Sequence, residues 1–235
     1  MPSVLITGSN RGIGLEFTKQ LLSKNWDCIA TCRDENKNDD LRELSKIFPD
    51  KIIIEQMDVL DHKSIDNLAV KLKNRKIDML INNAGILGPR SSDKTSQFFG
   101  NMDYDYWDLV HKTNTVAPFK VVEAFFGNLE ISKQKKIVII SSTVGSNIEM
   151  QAPIFSYASS KAAATKVFTL LSKVLREKGY NIYIFCPGHV KTEMGSEDAD
   201  LDVEESVEGM VKLIENLKSS QTGHFLRYNG EKVKY

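Results

Sequence analysis

Tyr157 and Lys161 stand four residues apart in Tyr157-Ala158-Ser159-Ser160-Lys161, a spacing that puts both on one face of a helix. A free phenol titrates near pH 10 and exchanges protons poorly at neutral pH. A lysine cation about 4 Å away contributes on the order of 4 kcal/mol at an effective dielectric of 20, which would lower that pKa by up to roughly three units before desolvation opposes it. The pair is therefore expected to act as a general acid–base poised near physiological pH. Ser142 ends an apolar run fifteen positions earlier, where its hydroxyl can hold an oxygen beside the phenol. Period-two alternation turns its neighbour Ser141 the other way. Asn114 falls inside a helical run, where a buried, locally bonded amide is its plainest reading. His62, His111, His189 and His224 are scattered without ligand spacing, so no metal is expected.

A second group of residues suits a bound anion. Val4-Leu5-Ile6 runs into Thr7-Gly8-Ser9-Asn10-Arg11-Gly12-Ile13-Gly14, which opens an apolar helical pattern. The spacing Gly-x-x-x-Gly-x-Gly is a variant of the dinucleotide fingerprint: Gly8 for a tight turn, Gly12 for backbone approach to phosphates, Gly14 for close helix–strand packing. The helix start offers free N–H groups and a positive dipole end to a pyrophosphate. The next apolar run ends at Thr31-Cys32-Arg33, about twenty residues on, where NAD binders generally keep a carboxylate for the ribose 2′-hydroxyl. Arg33 there, with Arg11 inside the loop, suits a 2′-phosphate, because two converging guanidiniums each donate forked, charge-assisted hydrogen bonds. The expected cofactor is NADP(H). Asp34 would repel that phosphate if it turned inward, and is expected to face solvent or cap the next helix.

These residues need a rigid frame, and the chain supplies one. Short β-rich runs at 4–7, 27–32, 51–57, 78–82, 136–141, 181–185 and 224–228 alternate with helical patterns near 12–23, 41–47, 64–72, 106–129, 159–178 and 204–217. Met79-Leu80-Ile81 and Ile137-Val138-Ile139-Ile140 are apolar without alternation, as strands covered on both faces are. The reading is an α/β fold: one Rossmann-type doubly wound domain spanning 1–235, with a seven-stranded parallel sheet and helices on both faces. Asp61 with Ser64 signals a helix start, and Gly179 the end of the long helix. The segment 88–105 reads as an excursion on the ligand side, and the acidic stretch 197–205 as a mobile loop.

Bulk properties narrow the function. The chain has 235 residues, 41% hydrophobic and 26% charged, an ordinary globular balance. Its 31 basic and 31 acidic residues cancel, which gives no support to nucleic acid or an anionic membrane as partner. The basic stretch 71–76 reads as the solvated end of a helix. Cys28, Cys32 and Cys186 lie in or beside strand-like runs with no metal spacing, as buried free thiols in a reducing compartment would. With no apolar run of membrane-spanning length, a cytoplasmic protein is expected.

The motifs together resemble the short-chain dehydrogenase/reductase family along almost the whole chain. Residues 7–14 resemble its cofactor loop, and Asp58-Val59 the element that touches the adenine. Asn82-Asn83-Ala84-Gly85 resembles its Asn-Asn-Ala-Gly signature, and Pro187-Gly188-His189-Val190-Lys191-Thr192 its nicotinamide-cradling segment. Asn114, Ser142, Tyr157 and Lys161 fall where the family keeps a catalytic tetrad, and Ser142-Thr143-Val144-Gly145 matches its Ser-x-x-Gly phrasing. The Trp107 region and the tail with Tyr228-Asn229-Gly230 further resemble small carbonyl reductases of the sniffer and C-factor type. The resemblance implies hydride transfer from reduced nicotinamide to a carbonyl carbon while Tyr157 protonates the oxygen. Ser142 would steady that oxygen, Lys161 hold the nicotinamide ribose, and Asn114 position water and backbone in a proton relay.

Ile148, Met150, Phe155, His189 and Met194 are expected to border the substrate pocket, with Phe98, Phe99 and Met102 within reach. That wall suits a small hydrophobic aldehyde, ketone or quinone. Most of these residues equally suit core or oligomer contacts. His189 and two extra residues between Ser142 and Tyr157 depart from the common family pattern, so substrate preference is not carried over. Val167, Phe168, Leu171 and Val174 would serve either the core or a homodimer or homotetramer contact. Two other functions remain open: a cofactor-binding sensor without turnover, and an NAD-linked alcohol dehydrogenase.

Overall fold

Ile137-Val138-Ile139-Ile140 has no polar side chain to turn toward water, and in the computed structural model all four are buried. They form the strand β5 (Lys136–Ile140), inside a seven-stranded sheet with the order β3-β2-β1-β4-β5-β6-β7. The structure describes residues 1–34, 36–89, 97–149 and 152–235; Met150 lies outside them. The other strands are β1 (Ser3–Ile6), β2 (Asp27–Cys32), β3 (Ile52–Gln56), β4 (Met79–Asn82), β6 (Asn181–Cys186) and β7 (Phe225–Arg227). All neighbouring strands pair in parallel.

Alternation along the strands divides the core into two layers. Val4 and Ile6 of β1 point to one face, Leu5 to the other. On the first face lie α1 (Gly12–Ser23), α2 (Asp39–Ile47) and α8 (Val203–Asn216), which contribute Phe17, Leu21, Leu41 and Met210. On the second lie α3 (His62–Lys71), α5 (Ala117–Ala124), α6 (Phe126–Glu130) and α7 (Phe155–Leu175), with Ile65, Val121, Leu129 and Phe168. Each such side chain contributes about 1.5–3 kcal/mol when fully removed from water. This two-sided covering is the doubly wound arrangement expected from the sequence. The order reverses between β1 and β4, the switch point where open α/β sheets form their ligand crevice.

The helical pattern expected over 106–129 is not one continuous helix. α4 (Tyr104–His111) passes into a π-helical turn, Lys112–Val116, before α5, and Phe125 separates α5 from α6. Pro118 at the start of α5 lacks the N–H that a continuous ladder needs. The π turn carries Asn114, and such bulges re-aim a side chain relative to a regular helix. Other punctuation follows the sequence: Asp61 caps α3 by accepting from Lys63 N at 2.9 Å, and Gly179 ends the 3₁₀ turn after α7 with φ +79°. Cys28, Cys32 and Cys186 are free and buried. Among the described residues, no helix is long and apolar enough to cross a membrane.

Candidate active site

The loop between β1 and α1 folds against the end of β4. Thr7 Oγ1 accepts from Asn83 N and Ala84 N, both at 3.0 Å, and Asn83 Nδ2 donates to the carbonyls of Thr7 at 3.0 Å and Gly8 at 2.9 Å. Gly8 has φ +66°, and a Cβ there would stand 3.1 Å from the Ala84 backbone. A Cβ at Gly14 would overlap the Gly8 carbonyl and come within 2.5 Å of Asn83 Nδ2. The glycines thus let this loop close on itself and on the end of β4 as no side chain would allow, which shapes the cradle at the switch point. Arg11, the N-cap of α1, makes no side-chain cap and no acidic residue follows in the first turn, so the helix start is left for an anion. Ser9 is not part of the cradle surface: its hydroxyl is buried and donates to Ile6 O at 2.8 Å. Asn83 braces the loop from behind, and Ile13, Ala84 and Gly85 line its half-buried edge.

Arg11 and Arg33, expected to converge on a 2′-phosphate, have different surroundings. Arg11 pairs instead with Glu193 beyond β6, and both side chains are largely exposed. Arg33 is exposed at the end of β2, and its guanidinium has no protein partner among the described residues. Asp34 does not cap α2, whose N-cap is Asn38: its Oδ1 accepts from Asn36 N at 3.0 Å, closing a turn within its own loop. That turn places Lys37 against the glycine loop, where Asn10 Nδ2 donates to Lys37 O at 2.8 Å. Lys37 went unread in the sequence, although its place four residues after Arg33, across a turn-forming Asp, was the available signal. At the end of β3, Asp58 Oδ1 accepts from Leu60 N at 2.9 Å, and Val59 is half-buried beside it.

Across the switch point, Ser142, Tyr157 and Lys161 converge at the end of β5. Alternation holds as expected: Ser141 is buried and bonds Lys161 O and Thr165, whereas Ser142 hydrogen-bonds the Tyr157 side chain. Lys161 Nζ lies 5.6 Å from the Tyr157 ring centroid and donates to Ile140 O at 2.8 Å. Asn114 receives Ile86 N on its oxygen at 2.9 Å and donates to Ile86 O and to Ser160 Oγ. Ser160 Oγ in turn donates to Tyr157 O at 2.7 Å. Asn114 therefore ties the segment after β4 to α7.

The electrostatics reverse one expectation. Tyr157 keeps some solvent access, yet burial of its phenol, helped by the nearby Cys186, pushes its pKa up, and the Ser142 hydrogen bond only partly opposes this. Burial also brings Lys161 down to about 8. Desolvation outweighs the cation's attraction because Lys161 is itself penalised and faces the ring and a carbonyl, not the hydroxyl alone. Without a ligand, the phenol stays protonated at neutral pH.

A stability prediction follows from Lys161. Its folded pKa lies below the ordinary 10.5, so the charging penalty is fully present below about pH 8 and fades as pH rises toward 10.5. At about 1.36 kcal/mol per unit the penalty is roughly 3 kcal/mol, less about 1 kcal/mol for the bond to Ile140 O. Lys161→Met is expected to raise the unfolding free energy of the ligand-free protein at pH 7 by about 2 kcal/mol. Denaturant titrations at pH 7 and pH 10 check this: a gain that does not shrink at the higher pH contradicts it.

The last side of the crevice follows β6. Pro187 O accepts from Ser206 Oγ at 2.6 Å, Gly188 has φ +90° against Leu201 and Tyr228, and buried Val190 bridges to Leu201. Thr192 packs 3.5 Å from where a Cβ on Gly12 would stand, which brings this segment over the glycine loop. His189 is exposed, its ring near Gly195 O and Ser196 Oγ. Ile148, Phe155 and Met194 are exposed, as is Phe99, whereas Phe98 and Met102 are half-buried. On α7, Phe168 is core, Val167 and Leu171 pack partly against it, and Val174 is exposed. Among the described residues, no cluster of His, Cys, Asp and Glu could hold a metal.

The pattern of the short chain dehydrogenase family matches residues 2–202. The NADPH-bound carbonyl reductase from chicken fatty liver superposes with a TM-score of 0.91 at 34% identity, covering 100% of this chain and 99% of that one. The carbonyl reductase Sniffer of D. melanogaster superposes at 0.90 with 28% identity over 100% of both chains. The C-signal protein of Myxococcus xanthus is 30% identical over 160 residues, 68% of this chain and 93% of its own length.

Proposed function

The chain belongs to the short chain dehydrogenase family of oxidoreductases, and from that premise we propose that it reduces a hydrophobic carbonyl compound to an alcohol using NADPH, with Tyr157 as general acid. The observation that carries this reading is the convergence of Ser142, Tyr157 and Lys161 beside a switch-point loop whose close turn only glycines allow. The cradle fits a dinucleotide. Gly8, Asn10, Gly12, Ile13 and Gly14 would receive its pyrophosphate, with Ser9 and Asn83 supporting the loop from within. Arg33 would take the 2′-phosphate with Lys37, and Arg11 would join only by leaving Glu193. Asp58 and Val59 would border the adenine. Ala84, Gly85, Tyr157, Lys161, Pro187, Gly188, Val190 and Thr192 would hold the nicotinamide half. The chemistry supplied by bound NADPH is a hydride.

The protein's own part is orientation and the proton. Ser142 and Tyr157 hold the carbonyl oxygen between two hydroxyls, and burial keeps Tyr157 protonated, the state from which a general acid works. Asn114 and Ser160 fix the helix that carries it. The carbonyl reductases among the similar structures support the substrate class. Mixing the protein with NADPH and a panel of hydrophobic aldehydes, ketones and quinones should consume NADPH with at least one of them. NADPH binding without turnover on the whole panel would favour a sensor, and a preference for NAD⁺ with alcohols a dehydrogenase.

A further inference from the structure

α7 begins without a cap of its own: its N-cap residue is Ile154, which has no side-chain acceptor. The first N–H groups of a helix need partners. Here Phe155 N donates to Gln97 O at 3.2 Å, and Tyr157 N to Gln97 Oε1 at 3.2 Å. Ser156 Oγ donates to the same Oε1 at 2.8 Å. The other end of this amide, Nε2, donates to Leu87 O at 3.1 Å and Pro89 O at 3.0 Å. With donors at one end and carbonyls at the other, the amide has only one satisfactory orientation. Gln97 is buried, and Gly88, at φ +97°, leaves the room it occupies: a Cβ there would stand 3.2 Å from Nε2.

Gln97 thus joins two parts of the site that are far apart in sequence. One is the segment that continues from the cradle at 83–85, the other the backbone of Tyr157 itself. Asn114 makes a parallel tie through Ile86 and Ser160, and the two ties flank the same gap.

We propose that Gln97 is a positioning residue, a remote cap that fixes the Tyr157 end of α7 against the cradle segment and so sets the distance between phenol and reacting carbonyl. The inference rests on the reductase reading above. Misplacement by about 1 Å at a reacting centre can lower a rate on the order of 100-fold.

Gln97→Met keeps the volume and removes the amide; Gln97→Glu keeps an oxygen that accepts from Ser156 and Tyr157 N but loses at least one of the two donations to Leu87 O and Pro89 O. For Gln97→Met, kcat should fall about 10- to 100-fold while the NADPH Kd stays within about threefold, and amide exchange at Tyr157, whose N–H loses its side-chain acceptor, should accelerate. Gln97→Glu should recover the amide protection at Tyr157, because the acceptor remains, while kcat stays below wild type, because the tie to Leu87 and Pro89 is weakened. The inference is overturned if Gln97→Met keeps kcat within about threefold or loses NADPH binding in step with kcat, or if Gln97→Glu leaves the Tyr157 amide no better protected than Gln97→Met does. Wild-type protein inactive on every carbonyl would count against the reductase reading, and amide exchange at Tyr157 would then decide the cap by itself: unchanged exchange in Gln97→Met overturns it.

Discussion

Tyr157→Phe is expected to lower kcat for carbonyl reduction by about 10²- to 10⁴-fold, the usual contribution of a positioned general acid. Only the hydroxyl is lost, so the ring 5.6 Å from Lys161 Nζ and the backbone bonds to Gln97 and Ser160 remain. NADPH affinity should therefore change little, and the loss should fall on kcat and kcat/KM together, as for an interaction made only in the transition state. Because burial raises the phenol's pKa in the ligand-free protein, its protonated form predominates throughout the neutral range. Steady-state kinetics with the best substrate of the panel, beside NADPH titration, provide the check. A Phe variant that keeps kcat within about tenfold of wild type would remove Tyr157 from the role of proton donor.

Arg33→Ala should weaken NADPH binding about 10- to 100-fold and leave NADH binding nearly unchanged. A charge-assisted hydrogen bond contributes about 1.5–3 kcal/mol, and NADH has no 2′-phosphate to lose it. Adding Lys37→Ala should deepen the loss, since the turn closed by Asp34 holds Lys37 beside Asn10 of the same loop. Arg11→Ala should have the smallest effect of the three, because its guanidinium already has Glu193 as partner. Exposed pairs of that kind contribute only about 0–1 kcal/mol, so the cofactor can compete for Arg11 at modest cost. Fluorescence titration with both cofactors separates the cases. If Arg33→Ala bound NADPH as tightly as wild type, the 2′-phosphate would have to be read elsewhere.

Much of the frame was legible before any coordinates. β2 and α1 fall at their expected bounds, 27–32 and 12–23, because a short apolar run between polar residues and an apolar helical periodicity opening at glycines are local signals. The placement of Ser142 toward Tyr157 and of Ser141 away from it was also readable, since strand alternation leaves no other choice. The break at Lys112–Val116 was not, because nothing in the residue types of Lys112-Thr113-Asn114-Thr115-Val116 distinguishes the wider i→i+5 turn from an α-helical one.

Residue types in order along the chain were enough to define a parallel α/β sheet, an anion-ready glycine loop, and a phenol one helical turn from an ammonium. Folding decided the rest: that Arg11 turns to Glu193, that Gln97 caps a helix sixty residues away, and that burial raises Tyr157 where the lysine alone would lower it. The division has a physical basis. Torsional preference and side-chain period act over a few residues, whereas desolvation and ion pairing are sums over everything packed within a few ångströms, most of it remote in sequence.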